Sequence, residues 1–206
     1  MTLIFSFLFA ITILTLTPGF DTALVLRSAA AQGWQRASAT AVGVTLGCLV
    51  WGVAVGLGLG ALLLASEMAY NLLKWVGAAY LLYLGVKLLI NPRSQPETAQ
   101  GNESREQSYL ACFSRGLFGN LLNPKVGVFY VTFLPQFIPA GASVPLWCML
   151  MALTHMVIGL VWNAVLIGGS HYFAARLRQP AVLKVMDRLT GCVFIGFAAK
   201  LALSRR

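Results

Sequence analysis

Two proline-containing breaks, Thr17-Pro18-Gly19-Phe20-Asp21 and Asn123-Pro124-Lys125, interrupt stretches that are otherwise almost continuous hydrocarbon. Breaking a helix in lipid frees N–H and C=O groups that need partners. Such a break survives only against protein or a water-filled cavity. Paired breaks in corresponding positions of two halves point to a substrate site near the bilayer midplane.

Only 10% of the residues are charged and the mean hydropathy is +0.77. Soluble domains usually carry about 25% charged residues, so the chain is expected to be membrane-embedded. Its formal net charge of +9 need not signal nucleic acid, because basic residues at helix ends mark cytoplasmic flanks. No basic face with interleaved aromatics lies outside the apolar stretches, which argues against nucleic-acid binding. Met1 to Phe20 lack a basic n-region and the apolar run continues to Leu26, so the segment is expected to remain as a helix. Cys48, Cys112, Cys148 and Cys192 are scattered without metal-ligand spacing and read as small apolar residues.

Six spans are expected: Leu3 to Leu26, Ala39 to Leu64, Leu72 to Ile90, Leu110 to Ile138, Val144 to Phe173 and Val182 to Leu203. Each reaches the ~20 residues that cross ~30 Å of hydrocarbon. Five spans plus a re-entrant segment is the alternative. Arg27 and Arg36 flank the first connection, Lys87, Arg93, Arg105 and Arg115 the third, and Arg176, Arg178, Lys184 and Arg188 the fifth. These connections are therefore expected to be cytoplasmic and both termini external, although Arg205 and Arg206 pull the other way. Residues 91–109, with Pro92, Pro96, Gly101 and Asn102, read as a polar cytoplasmic linker between a 1–90 unit and a 110–206 unit.

The two units resemble each other. Pro18 corresponds to Pro124, Leu49-Val50-Trp51 to Leu160-Val161-Trp162, and Gly77 with Tyr80 to Gly191 with Phe194. Three spans per unit invert the second relative to the first, giving an all-α membrane protein of two inverted three-helix repeats. Pro18 and Pro124 each precede or follow their flanking arginine, Arg27 or Arg115, by nine positions (18 to 27, 115 to 124). At 1.5 Å per residue both lie roughly 13 Å deep.

Asp21 is the carboxylate expected inside the spans, with Asp187 at the edge of the sixth. An acid at mid-helix costs about 2.5–3.5 kcal/mol on insertion scales, so it faces a cavity or a partner. Lys125 is the matching base, and it could equally snorkel to the surface. Thr17 and Asn123 precede the prolines and can each cap the following helix. Freed amides beside Pro18-Gly19 and Asn123-Pro124 suit a carboxylate. A zwitterionic ligand needs donors for its carboxylate and an acid for its ammonium, and this set supplies both. Asn163 and His155 are weaker candidates, His155 reading first as a helix-packing residue. Gly43, Gly47, Gly52, Gly56 and Gly60 recur at nearly four-residue spacing, which suits close helix approach or a seam in a homo-oligomer. There is no P-loop, no Gly-x-Ser-x-Gly elbow and no His-Glu-x-x-His pair, so neither ATP drive nor enzyme chemistry has support.

Pro18-Gly19-Phe20-Asp21, the Gly77–Gly85 stretch, and Asn123-Pro124-Lys125 with Phe129, Tyr130 and Phe133 to Phe137 together resemble the LysE/RhtB family of amino-acid exporters. Phe20 departs from the family pattern, which usually has a second proline there. The resemblance implies export of an amino acid or derivative across the bacterial inner membrane, driven by the proton gradient, without cofactor or metal. Thr17, Pro18, Gly19, Phe20, Asp21, Asn123, Pro124 and Lys125 would form the substrate site. Asp21 would hold the ammonium or the coupling proton. Alternatives are an inorganic cation exporter of the same superfamily and a non-transporting membrane scaffold or sensor. A single buried acid and no Cys/His cluster count against the cation reading.

Overall fold

A computed structural model describes residues 2–65, 67–92, 107–177 and 179–203. All regular structure among them is helical. The central linker, including Arg93, Pro96, Gly101, Asn102 and Arg105, lies outside the described residues, as do Arg178, Arg205 and Arg206.

The first apolar stretch folds as two helices, α1 (Thr2–Leu16) and α2 (Phe20–Gln32), bent by 48° at Thr17-Pro18-Gly19. The cause is local. Pro18 has no N–H for the Leu14 carbonyl, and its ring excludes that carbonyl from helical position. α1 therefore ends with the bond from Thr17 N–H to Ile13 O (2.9 Å). Gly33, with φ +80°, ends α2 in a conformation that L side chains avoid. The fourth stretch breaks in the same manner into α5 (Tyr109–Leu121) and α6 (Pro124–Phe133), after which a 3-10 turn at Leu134–Phe137 closes it. Between them run α3 (Trp34–Ala65) and α4 (Glu67–Ile90), and after them α7 (Val144–Gly168), α8 (Ser170–Leu177) and α9 (Pro180–Leu203).

α3 over Trp34–Gly58 and α7 over Val144–Gly168 are long and apolar enough to cross a bilayer, and the bent α1–α2 pair qualifies as a third span. Phe5, Phe9, Leu57, Trp75, Val76 and Val161 stand exposed on the outer surface, where a lipid-facing protein puts its apolar side chains.

α3 is the central helix, packed along its length against α5 and then α7, while α4 pairs with α9. The glycines of α3 explain how. A Cβ on Gly43 would lie 2.1 Å from Phe113 O, and one on Gly116 of α5 would lie 2.1 Å from Thr40 O. Gly52 and Gly56 meet Ala152, Cys148 and Pro145 of α7 in the same way. These four glycines thus serve contacts within the chain. The surroundings of Gly60 lie outside the described ones. At the α4–α9 crossing, Gly85 and Gly191 face each other, each with a built Cβ under 3 Å from the other's carbonyl oxygen.

The aromatics after the second break hold the short α6 in place. Phe129 and Phe133 stack at 4.4 Å, and Phe133 meets Phe197 of α9 at 4.0 Å. Phe137 then meets Phe7 of α1 edge-on at 5.5 Å. Cys48, Cys112 and Cys148 are buried, and Cys192 is exposed. Asp187, read from sequence as an edge residue, is fully buried seven residues into α9.

Candidate functional site

The two breaks meet, and each supplies groups that the other needs. Lys125 sits one residue past Pro124 and reaches back to the end of α1. Its Nζ donates to Thr17 O at 3.2 Å and to Leu14 O at 3.4 Å. Leu14 O is the carbonyl that Pro18 orphans, so the ammonium satisfies it and sits against the negative end of the α1 dipole. In return, Asp21 in the first turn of α2 accepts from the second break. Asn123 Nδ2 donates to Asp21 Oδ1 at 3.1 Å, and Asn120 Nδ2 donates to Oδ2 at 2.8 Å. The carboxylate also lies at the positive end of the α2 dipole.

Asn123 has a second task. Its Oδ1 accepts from Lys125 N–H at 3.1 Å and caps α6, with Pro124 at the first helical position, where no N–H is needed. Because the oxygen is committed to the cap, the amide nitrogen must face Asp21. Thr17 departs from the capping expectation. The α2 N-cap is Gly19, without a side-chain bond, whereas Thr17 Oγ1 donates back to Ile13 O (2.7 Å) and pairs with Thr190 of α9 (2.6 Å). The chain takes two extra residues to turn at Pro18-Gly19, which leaves the Thr17 side chain with the helix behind it.

These groups border a cavity of about 60 Å³, room for a few waters at roughly 10–15 Å³ each. Thr17, Gly19, Asp21, Asn123 and Lys125 line it. Pro18 and Phe20 do not. Pro18 is buried behind the turn, and the Phe20 ring lies toward α5, 3.2 Å from where a Gly119 Cβ would be. Phe20 is therefore a packing residue at the α2–α5 contact in this conformation, not a wall of the site. The side chain of Pro124 lies outside the described ones.

Of the remaining walls, the sequence offered His155 and Asn163 as weaker candidates and left the others unassigned. His155, Gly159, Trp162 and Asn163 line the cavity from α7, and Thr45 and Cys48 from α3. The α7 residues follow a four-, seven- and eight-residue spacing from His155, the repeat of one helix face. That spacing was the available signal. Asn120 was missed as well. It is fully buried, and it fits because Gly47 has no side chain: a Cβ there would lie 2.5 Å from Asn120 Oδ1. An Asn in an apolar stretch is a polar group that must be satisfied within the protein, which is the cue it offered. No three His, Cys, Asp or Glu side chains come together as a metal-ligand cluster among the described residues.

The double role of Asn123 can be separated by substitution. Asn123→Ala loses cap and carboxylate donor together, and should lower stability by about 1 kcal/mol. Asn123→Ser keeps a capping oxygen and should recover most of that stability, while transport stays impaired. Thermal unfolding in detergent and vesicle uptake would read the two effects. Equal transport by both variants and wild type would show that Asn123 only caps.

Broken helices that satisfy each other around a small polar cavity define a membrane transport protein. The model of the LysE type translocator family matches residues 12–205, and the chain belongs to that family, whose members are transporters and not enzymes. It is 30% identical over 201 residues to a homoserine/homoserine lactone efflux protein of Salmonella typhi, covering 98% of this chain and 96% of the relative. It is 33% identical over 189 residues to a leucine efflux protein of Klebsiella pneumoniae, covering 91% and 88%. An uncharacterised membrane protein of Bacillus subtilis is 28% identical over 197 residues, covering 93% and 94%. No solved structure matches the chain.

Proposed function

We propose that the protein is a proton-driven secondary exporter of a neutral amino acid, working in the bacterial inner membrane. The observation that carries this reading is the cavity where Asp21, Asn123 and Lys125 converge from the two breaks. Asp21 takes the substrate ammonium. Lys125 and the amides beside the breaks face its carboxyl end. Efflux relatives named for homoserine and its lactone and for leucine support amino-acid cargo. A lactone has no free carboxylate, so the ammonium is the charge such cargoes share, and Asp21 is the key contact.

The wall chemistry favours a short polar side chain over leucine's. Thr15, Thr17 and Thr45 line the cavity, and each hydroxyl already donates to a carbonyl of its own helix. Their oxygens keep acceptor capacity for a substrate hydroxyl.

Six spans in two inverted repeats, residues 1–90 and 110–206 about the 91–109 linker, is the architecture we infer. The pairing of α3 with α7 and of α4 with α9 supports it, since these are the second and third spans of each unit. So do the repeat-related Trp51 and Trp162, whose buried indole nitrogens both lack a partner among the described residues. Rocking of one unit against the other would exchange the reciprocal contacts of the breaks and alternate access. The cation-exporter alternative has no ligand cluster to support it among the described residues.

Uptake into inverted membrane vesicles, against a panel of amino acids with and without a pH gradient, tests the proposal. Uptake of a neutral hydroxylated amino acid is expected to exceed that of leucine and to collapse without the gradient. Absence of uptake for every amino acid, with the protein present in the membrane, would refute it.

A further inference from the structure

The coupling proton needs a carrier that reaches the cavity, gains a proton without stranding a hydrogen-bonding group, and disfavours the substrate once charged. Asp21 meets the second condition poorly. Both of its oxygens accept from amide NH2 groups, so a carboxyl proton there needs the Asn120 amide to turn its oxygen toward it and give up the Nδ2 contact to Cys48 Sγ (3.5 Å). Turning the Asn123 amide to present its oxygen would break the cap on α6.

His155 meets all three. It is buried on α7 and lines the same cavity as Asp21 and Lys125. Its Nδ1 lies 2.9 Å from the Tyr130 hydroxyl, and the two rings stack at 5.7 Å with planes 24° apart. A hydroxyl both donates and accepts. Tyr130 can donate to Nδ1 of the neutral ring and, by rotating its hydrogen, accept from Nδ1–H of the charged ring. The contact between Nδ1 and the hydroxyl thus survives in either state. Tyr130 is on α6, five residues after Lys125, so this contact also joins the half-helix after the second break to α7.

We propose, resting on the exporter reading above, that His155 carries the antiported proton, with Tyr130 as its positioning residue. In the step, a hydronium O–H bond breaks on the external side as an imidazole N–H bond forms, leaving water and a charged ring; on the internal side that N–H bond breaks as a water takes the proton and becomes hydronium. The ionisable groups around it among the described residues are Lys125 and Tyr130 on α6, Cys48 on α3 and Asp21 on α2, while α1 has none. A second cation beside Lys125 opposes the substrate ammonium, so proton and substrate occupy the cavity in turn. Asp21 is then left to bind substrate.

The test uses purified protein in proteoliposomes, with substrate counterflow at equal pH and accumulation driven by a pH gradient measured side by side. His155→Gln is expected to lower driven accumulation at least tenfold more than it lowers counterflow, since His155 also lines the cavity. Tyr130→Phe is expected to retain counterflow and to shift the pH profile of driven export. Should the Gln variant fail to fold by thermal melt, His155→Asn enters the same assays. Driven accumulation at wild-type level in a folded His155 variant overturns the proposal. Loss of counterflow together with driven transport overturns it too, because His155 would then bind substrate. Absence of amino-acid counterflow in the wild type refutes the exporter reading itself, a separate outcome.

Discussion

Asp21→Asn is expected to lower amino-acid export by about 10- to 100-fold, with the protein still inserted and folded. A hydrogen bond to a charged group contributes roughly 1.5–3 kcal/mol net, and a tenfold change corresponds to about 1.4 kcal/mol. Asparagine keeps the size of the side chain and one acceptor oxygen, so either Asn120 or Asn123 can still donate to it. The fold therefore loses little. The substrate loses the one carboxylate that lines the cavity among the described residues, and its ammonium is left in a low-dielectric site without that counter-charge. Asp21→Glu restores the charge but displaces it by one methylene from both amides, and should recover part of the flux. Uptake normalised to protein in the membrane checks both variants. Wild-type flux in Asp21→Asn would remove Asp21 from the site.

Gly43→Ala and Gly116→Ala are expected to be the most destabilising single-methyl changes in the chain. Each new Cβ would stand 2.1 Å from a backbone oxygen, Phe113 O or Thr40 O. A carbonyl oxygen cannot swing aside as a side chain can, so the α3 and α5 backbones must separate. Over-packing of this kind costs about 1–3 kcal/mol, and a rigid backbone obstacle puts these sites at the upper end. Both residues belong to one crossing, so the double variant should cost less than the sum of the two. Transport should fall with stability, because α5 carries Asn120 to Asp21 and α3 carries Thr45 and Cys48 to the cavity. Gly58→Ala is the internal control. Nothing lies within 4 Å of its built Cβ, and alanine in a helix interior is favoured by about 1 kcal/mol. Thermal unfolding in detergent should show a lower midpoint for the first two and none for the third. Unchanged midpoints for all three would mean that the helices do not cross as closely as described.

The paired breaks were readable in the sequence because proline acts through covalent geometry, which context cannot override. Pro18 and Pro124 lose an N–H wherever they stand, and the structure bends or restarts the helix at both. Asn123 as a cap was legible for the same local reason. Thr17 was not, because the number of residues the chain spends in the turn decides which side chain reaches the next helix, and that number depends on packing. The direction of Phe20 was not legible, because the motif fixes its position in the chain while α2 turns its ring toward Gly119. The α3 glycines announced close approach but not a partner. Only the fold reveals that Gly43 and Gly47 serve α5 while Gly52 and Gly56 serve α7. Asn120 and the α7 face are of the same kind: polar residues whose neighbours come from distant segments.

The central claim is that the carboxylate between the broken helices reads the ammonium of an amino acid. The most direct measurement is competition in counterflow, with the best-transported amino acid set against its 2-hydroxy acid analogue, in which a hydroxyl replaces the ammonium. In the wild type the amino acid should compete at least tenfold better than the hydroxy acid, and Asp21→Asn should erase the difference. Equal competition by both compounds in the wild type, or a preference undiminished in Asp21→Asn, would contradict the account.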